Sequence, residues 1–287
     1  MSENSTPNWF HKAIAAPRED RFIDVAGARI HYLRWGQPGR PGLLFVHGGA
    51  AHAHWWTWIA PRFTQHYTVA AIDLSGHGDS ARRDGYEADL WGEEILAVAD
   101  HAEFDGPPVV IAHSMGGFIA LALASRASEQ LGGVIILDSP VRRPDPEQEE
   151  GTHGSSFRNP KTYPDVATAL AHFRTVPDQP SSRPFILDYV GRHSLRHTDA
   201  GWTWKFDPRV FGNLQARRRP EILRGITCRV ALFRAENGLV TADIGQFMYE
   251  QLGRVAPVIE VPEAYHHIML DQPLALVTGL NALLADW

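Results

Sequence analysis

Runs of apolar residues too short for helices recur along this chain, and between them the hydrophobic period changes to that of helices. Residues 42–46 (Gly-Leu-Leu-Phe-Val) and 133–137 (Gly-Val-Ile-Ile-Leu) are uninterrupted apolar stretches, the pattern of strands covered on both faces. Residues 67–72 and 108–112 read as further strands. Between them, 86–102 places Leu90, Ile95, Val98 and Ala99 on one helical face, 55–63 reads as helical, and 115–125 is an apolar helix. Two short alternating runs, 21–26 and 29–35, are joined at Gly27 and predict a β-hairpin ahead of them. This alternation predicts an α/β protein with a mainly parallel, doubly wound sheet.

The alternation stops after Asp138. From 141 to 220 the chain is interrupted by prolines, among them Pro160, Pro164, Pro177, Pro180, Pro184 and Pro208, and is rich in aromatic residues and histidine. That span is too long for a structureless loop, so it predicts a mainly helical inserted cap. Alternation resumes with a strand at 227–233, a helix at 242–252, a strand at 257–261 and a last helix at 273–284. The expected division is a core of residues 1–140 and 221–287 and a cap of residues 141–220. No internal repeat or low-complexity tract interrupts it.

Where the strand at 108–112 gives way to the next helix, the sequence reads Ala112-His113-Ser114-Met115-Gly116-Gly117. A serine in the turn between a buried strand and a helix, with small residues two positions to either side, meets the steric demand of a nucleophile elbow. Such a turn lifts the Ser114 Oγ out of the sheet and leaves the Met115 N–H at a helix N-terminus, available to an oxyanion. A second donor is expected from the loop after His47, from Gly49 or from Ala50, because glycine there lets the backbone approach a substrate. A serine hydroxyl attacks only when a base takes its proton. Two histidines, His266 and His267, compete for that task on the loop after the last strand.

Composition narrows the class. The chain has 287 residues, 44% hydrophobic and 21% charged, as expected of one large globular α/β domain with an insertion. The net charge of −6 gives no reason to expect nucleic acid or an anionic membrane as partner. Arg217-Arg218-Arg219 is a lone basic run and reads as a solvated face. Cys228 is the only cysteine, which excludes an internal disulfide and a cysteine-built metal site; it reads as a small buried strand residue. No apolar run reaches 18 residues and no leader pattern opens the chain. A soluble, cytoplasmic protein is expected, with its oligomeric state left open.

His47-Gly48-Gly49, the turn Asp73-Leu74-Ser75-Gly76-His77-Gly78-Asp79-Ser80, the elbow at 112–117, and His266 followed by Asp271-Gln272-Pro273 together resemble the α/β-hydrolase superfamily. The resemblance runs from about Arg21 to Trp287. Gly201-Trp202-Thr203-Trp204-Lys205-Phe206-Asp207 also resembles a cap motif of small bacterial serine ester hydrolases. The family implies an eight-stranded, mostly parallel sheet, no cofactor and no metal, and a serine rather than the aspartate of epoxide hydrolases and dehalogenases. It places the catalytic histidine five positions before the aspartate that opens the last helix, which selects His266. It commonly places the acid after the penultimate strand, where this chain has Glu236 and Asn237, and in some members one strand earlier, where it has Asp138. Asp138 is the expected acid, Glu236 the alternative. The turn at 73–80 and His47 are expected to brace loops rather than bind metal, and His52 and His54 to line a pocket. Trp202, Trp204 and His267 are the candidate substrate contacts, the two tryptophans sharing one side of an extended segment.

The expected function is cleavage of a small carboxylic ester through an acyl-enzyme, with water as the second substrate. The alternatives are a lactonase, hydrolysis of a C–C bond in a diketone-like ring-cleavage product, with Arg183, Arg192 or Arg196 holding its carboxylate, and a non-enzymatic small-molecule receptor of the same fold.

Overall fold

The structure, a computed structural model, describes residues 6–143, 160–180, 183–212 and 220–287; the run Arg217–Arg219 lies outside them. After a short helix α1 (Asn8–Ile14), the chain forms β1 (Glu19–Val25), β2 (Ala28–Trp35), β3 (Gly42–Val46), β4 (Thr68–Ile72), helix α2 (Ala88–His101), β5 (Val109–His113), helix α3 (Met115–Ala127) and β6 (Gly133–Leu137). An insertion then carries α4 (Val166–Ala171), α5 (Pro184–His193) and a hairpin of β7 (Leu195–Thr198) and β8 (Gly201–Trp204). The sheet resumes with β9 (Val230–Asn237), α6 (Ala242–Gln251), β10 (Val258–Tyr265), the short α7 (Ile268–Asp271) and α8 (Pro273–Leu284). Eight strands make one sheet in the order β1-β2-β4-β3-β5-β6-β9-β10. β1, β2 and β4 pair antiparallel, and the neighbours from β4 to β10 run parallel. This is the α/β-hydrolase fold, with the eight-stranded, mostly parallel sheet expected from the apolar runs.

Because side chains alternate across a strand, each apolar run feeds both faces. Leu44, Val46, Val110, Ala112, Val134 and Ile136 meet α2, α3 and α6 on one side. Leu43, Phe45, Ile111, Ile135, Leu137 and Phe233 meet α1, α5 and α8 on the other. The direction in which the chain steps across the sheet reverses between β3 and β5, and a crevice opens at the carboxyl ends of strands around such a point. The elbow serine therefore emerges beside the loop that follows β3.

Several expectations change in detail. Residues 55–63 form two separate 3-10 turns, Ala53–Trp56 and Ala60–Phe63, instead of one helix; Pro61 has no N–H to continue it. β9 starts at Val230, not 227, because Thr227 donates its N–H to Ser128 Oγ at 2.9 Å. Cys228 consequently precedes the strand and is only half-buried. β10 continues past 261 through a register shift to Tyr265, which delivers His266 at the strand's end.

The insertion is helical at α4 and α5 but also holds the β7–β8 hairpin, which its proline-rich pattern did not announce. Its own small core joins Tyr163, Ala169 and Leu195 to Trp202 and Trp204. The turn at 73–80 ties it to the sheet: Gly78 N–H donates to Lys205 O, Asp207 N–H to Gly76 O, and Lys205 Nζ lies 2.7 Å from Asp79. No helix among the described residues is long and apolar enough to cross a membrane.

Candidate active site

The turn after β5 holds Ser114 at φ 51° and ψ −116°, a region that a residue with a Cβ rarely occupies and that marks functional strain. The sequence accepts it because the space beside it is kept clear. A Cβ on Gly116 would lie 2.5 Å from the His47 carbonyl oxygen, and one on Gly117 would overlap Ser139 Oγ. Gly116→Ala is expected to force α3 away from β3 and to destabilise by about 1–2 kcal/mol. The overlap outweighs the gain of about 1 kcal/mol alanine usually brings to a helix. Urea unfolding checks this; a variant as stable as the parent would mean that the helix does not press on the β3 loop.

Ser114 Oγ lies 3.0 Å from His266 Nε2, and His266 Nδ1 lies 2.7 Å from Asp138 Oδ2. Asp138 stands at the end of β6, itself at φ 47°, and is fully buried. A carboxylate can only accept, so His266 carries its proton on Nδ1 and offers the Nε2 lone pair to the serine hydroxyl. Burial alone would raise the Asp138 carboxyl. The His266 hydrogen bond and charge, with the Leu239 and Val240 N–H groups, outweigh it and hold the carboxyl below its ordinary range. Those N–H groups donate at 2.7 and 3.1 Å. The loop after β9 thus wraps Asp138, so closely that a Cβ on Gly238 would lie 2.5 Å from either carboxylate oxygen.

The alternative acid is elsewhere. Glu236 is exposed, and its carboxylate accepts the Glu263 N–H at 2.7 Å. His267 is buried with its ring 4.8 Å from that of His266 and 5.3 Å from that of Trp55. Burial pushes its imidazole well below the usual range, which leaves it a neutral wall beside the site.

The glycine loop after β3 lies directly against the serine. A Cβ on Gly48 would be 3.2 Å from Ser114 Cβ, and one on Gly49 would be 2.8 Å from the Phe211 ring and 3.8 Å from Met115 Sδ. Met115 opens α3, so its N–H has no carbonyl one turn earlier in the helix to bond. His47 braces this loop. Its Nε2 accepts the Leu74 N–H at 3.1 Å and its Nδ1 donates to Gly48 O at 2.7 Å, and burial keeps the ring neutral.

A cleft of about 770 Å³ opens between Ala50 and His52 of this loop and the insertion; Ser114 and His266 are not among its walls. Trp204, Tyr163, Phe173 and Phe206 are among its walls. Trp202 is not. The face of β8 that both tryptophans share covers the insertion's own core, and Trp202 packs on His197 at 5.2 Å. His52 lines the cleft and bonds Ser194 Oγ at 2.8 Å. Arg183, Arg192 and Arg196 are not in these walls. Arg183 Nε donates to Asp271 O and Arg192 pairs with Asp188.

Two groups among the described residues bring three possible metal ligands together: His113, His266 and His267, and His31, Asp73 and Asp79. In the first, His113 Nε2 donates to His266 O at 2.9 Å while His266 is committed to Asp138 and Ser114. In the second, Asp73 accepts from His31 Nδ1 and from the Ala53 and Asp79 N–H groups. The second arrangement is spent on hydrogen bonds that hold loops; in the first, both ring nitrogens of His267 are buried without a hydrogen-bond partner among the described residues. Two contributors escaped the sequence reading. His113 steadies the His266 loop, and its only signal was its place next to the serine. Phe211 covers Gly49 and carried no signal at all.

Residues 43–279 match the model of the Alpha/beta hydrolase family. Over 274 residues the chain is 29% identical to an esterase of Mycobacterium tuberculosis, spanning 91% of this chain and 88% of that one. A more local likeness, 31% over 124 residues and 42% of each chain, is to the 2-hydroxy-6-oxo-6-(2'-aminophenyl)hexa-2,4-dienoic acid hydrolase of Metapseudomonas resinovorans. Among solved structures, a thioesterase domain from the curacin biosynthetic pathway matches with a TM-score of 0.78 at 23% identity, covering 93% of this chain and 99% of that one. That last likeness is one of fold alone. The family match runs from β3 into α8 and so takes in both the sheet and the loops at its carboxyl end; the chain belongs to the alpha/beta hydrolase family.

Proposed function

We propose that this protein is a serine hydrolase that cleaves a small carboxylic ester through an acyl-enzyme intermediate. Ser114 Oγ attacks the ester carbonyl as His266 Nε2 takes its proton, and the Met115 and Gly49 N–H groups receive the oxyanion. The imidazolium, stabilised by Asp138, returns that proton to the departing alcohol. Water then adds to the acyl carbonyl, giving its proton to His266, and the carboxylic acid leaves as Ser114 recovers its hydrogen. The observation that carries this reading is the continuous line from Ser114 through His266 to a buried carboxylate, at 3.0 and 2.7 Å. The insertion acts as the cap, and the cleft between it and the loop after β3 offers aromatic walls around Trp204 beside the cations of Lys161 and Arg174.

A second reading, C–C bond hydrolysis, draws on the partial likeness to the dienoic acid hydrolase and uses the same three residues. It needs a cation for the substrate carboxylate, and the cleft offers Lys161 and Arg174 in place of the arginines expected from the sequence.

The test is labelling of the native chain with a fluorophosphonate, peptide mapping of the label, and turnover of short p-nitrophenyl esters. Label on Ser114 together with turnover supports the proposal. Turnover of a ring-cleavage diketone but of no ester moves the second reading forward. A chain that neither labels nor turns over substrate has an unassembled triad or a closed cap and moves the receptor reading to the front.

A further inference from the structure

The loop bearing His266 is gripped from the insertion by an amide and a guanidinium. Gln179 lies ahead of α5. Its Oε1 accepts the His267 N–H at 2.9 Å and its Nε2 donates to Asp271 Oδ2 at 3.2 Å. The same Asp271 oxygen accepts the Tyr265 N–H at 2.7 Å. The N–H groups on both sides of His266 are therefore held, one by Gln179 and one by Asp271, and the two holders hold each other. Arg183, at the start of α5, adds a bond from Nε to Asp271 O at 2.9 Å. The carbonyl of His266 itself accepts from His113 at 2.9 Å.

From this closed ring we infer that Gln179 is a positioning residue for His266: the cap reaches the base through it, so that seating of the cap and alignment of the base are one event. The inference rests on the reading of His266 as the catalytic base. It also explains why an amide stands at this position. The residue must accept from a backbone N–H with one atom and donate to a carboxylate with the other, which neither a carboxylate nor an aliphatic side chain does.

Gln179→Glu would keep the bond to the His267 N–H and turn a second carboxylate oxygen toward Asp271. Two carboxylates in contact share one proton at low pH and repel at high pH. Burial already pushes the Asp271 carboxyl up to about 6, against the Tyr265 and Gln272 N–H groups and the charge of Arg183. The other titratable groups on its loop are Tyr265, His266 and the neutral His267. The shared proton would restore the donor that the amide supplies, so Gln179→Glu has its defect healed by acid.

The experiment measures ester kcat and KM for the native chain, Gln179→Ala and Gln179→Glu from about pH 5.5 to about pH 8.5, each variant expressed as a ratio to the native chain at the same pH. Gln179→Ala is expected to lose about 10- to 100-fold in kcat at all pH values, with KM changed less than about threefold, the size of loss that a displaced catalytic group produces. Gln179→Glu is expected near the native chain at the acid end and to approach Gln179→Ala at the alkaline end. A Gln179→Glu ratio that stays flat, or a Gln179→Ala variant with native kcat, overturns the inference. A native chain without turnover would instead remove the hydrolase reading on which it stands.

Discussion

Replacing Ser114 with alanine is expected to lower ester turnover by at least about 10⁴-fold while leaving the fold as stable as before. The hydroxyl is the one atom removed. Its described partner is the lone pair of His266 Nε2, so no structural bond elsewhere is broken. Alanine retains the Cβ and inherits the same strained backbone at φ 51°, so the turn is neither relieved nor further loaded. What remains is the histidine and the oxyanion donors. Such a remnant gives only the small residual catalysis that binding and electrostatics supply without a nucleophile. The measurement is kcat/KM on a p-nitrophenyl ester, with urea unfolding of both chains as the control. A variant that keeps more than a few per cent of the activity at unchanged stability would put the nucleophile elsewhere.

The elbow was legible because its constraints are local. A continuous apolar strand, a serine and small residues two positions away need only the chain within ten residues to be recognised. The central strands were legible for the same reason, since burial on both faces writes an unbroken apolar run. Features set by distant contacts were not. Four-residue strands on either side of Asp199-Ala200 are too short to show a period, and that pair is not one of the usual two-residue turn signals. Gln179 reads as one more polar residue in a proline-rich stretch, and only the arrival of Asp271 and the His267 N–H gives it a function. The Trp202 and Trp204 spacing correctly put both on one face of a strand. It carried no information on whether that face would meet substrate or the insertion's own core.

The choice between Asp138 and Glu236 belongs to the same class, because it depends on how the backbone leaves each strand. Asp138 at φ 47° turns its carboxylate back over the sheet edge, where the Leu239 and Val240 N–H groups close on it. Glu236 still lies within β9 and faces outward to Glu263. Asp138→Asn is accordingly expected to cost about 10³- to 10⁴-fold in kcat. The asparagine NH₂ cannot accept from His266 Nδ1, so the ring takes the other tautomer and its Nε2 no longer receives the serine proton. Stability should fall as well, by about 1–3 kcal/mol, since one amide oxygen replaces two carboxylate oxygens that meet buried N–H donors. The pH sign follows from the folded carboxyl being held below its ordinary value. The stabilisation it confers is fully present above the unfolded value of about 3.9 and is lost as pH falls through the lower folded one. The stability gap between the native chain and Asp138→Asn should therefore persist from neutral pH to about pH 4 and narrow only below it. Glu236→Gln keeps an oxygen to accept the Glu263 N–H in an exposed position, and its kcat is expected within about twofold of native. Parallel kinetics and acid unfolding of the two variants decide the matter, and a Glu236→Gln chain more damaged than Asp138→Asn would assign the acid to Glu236.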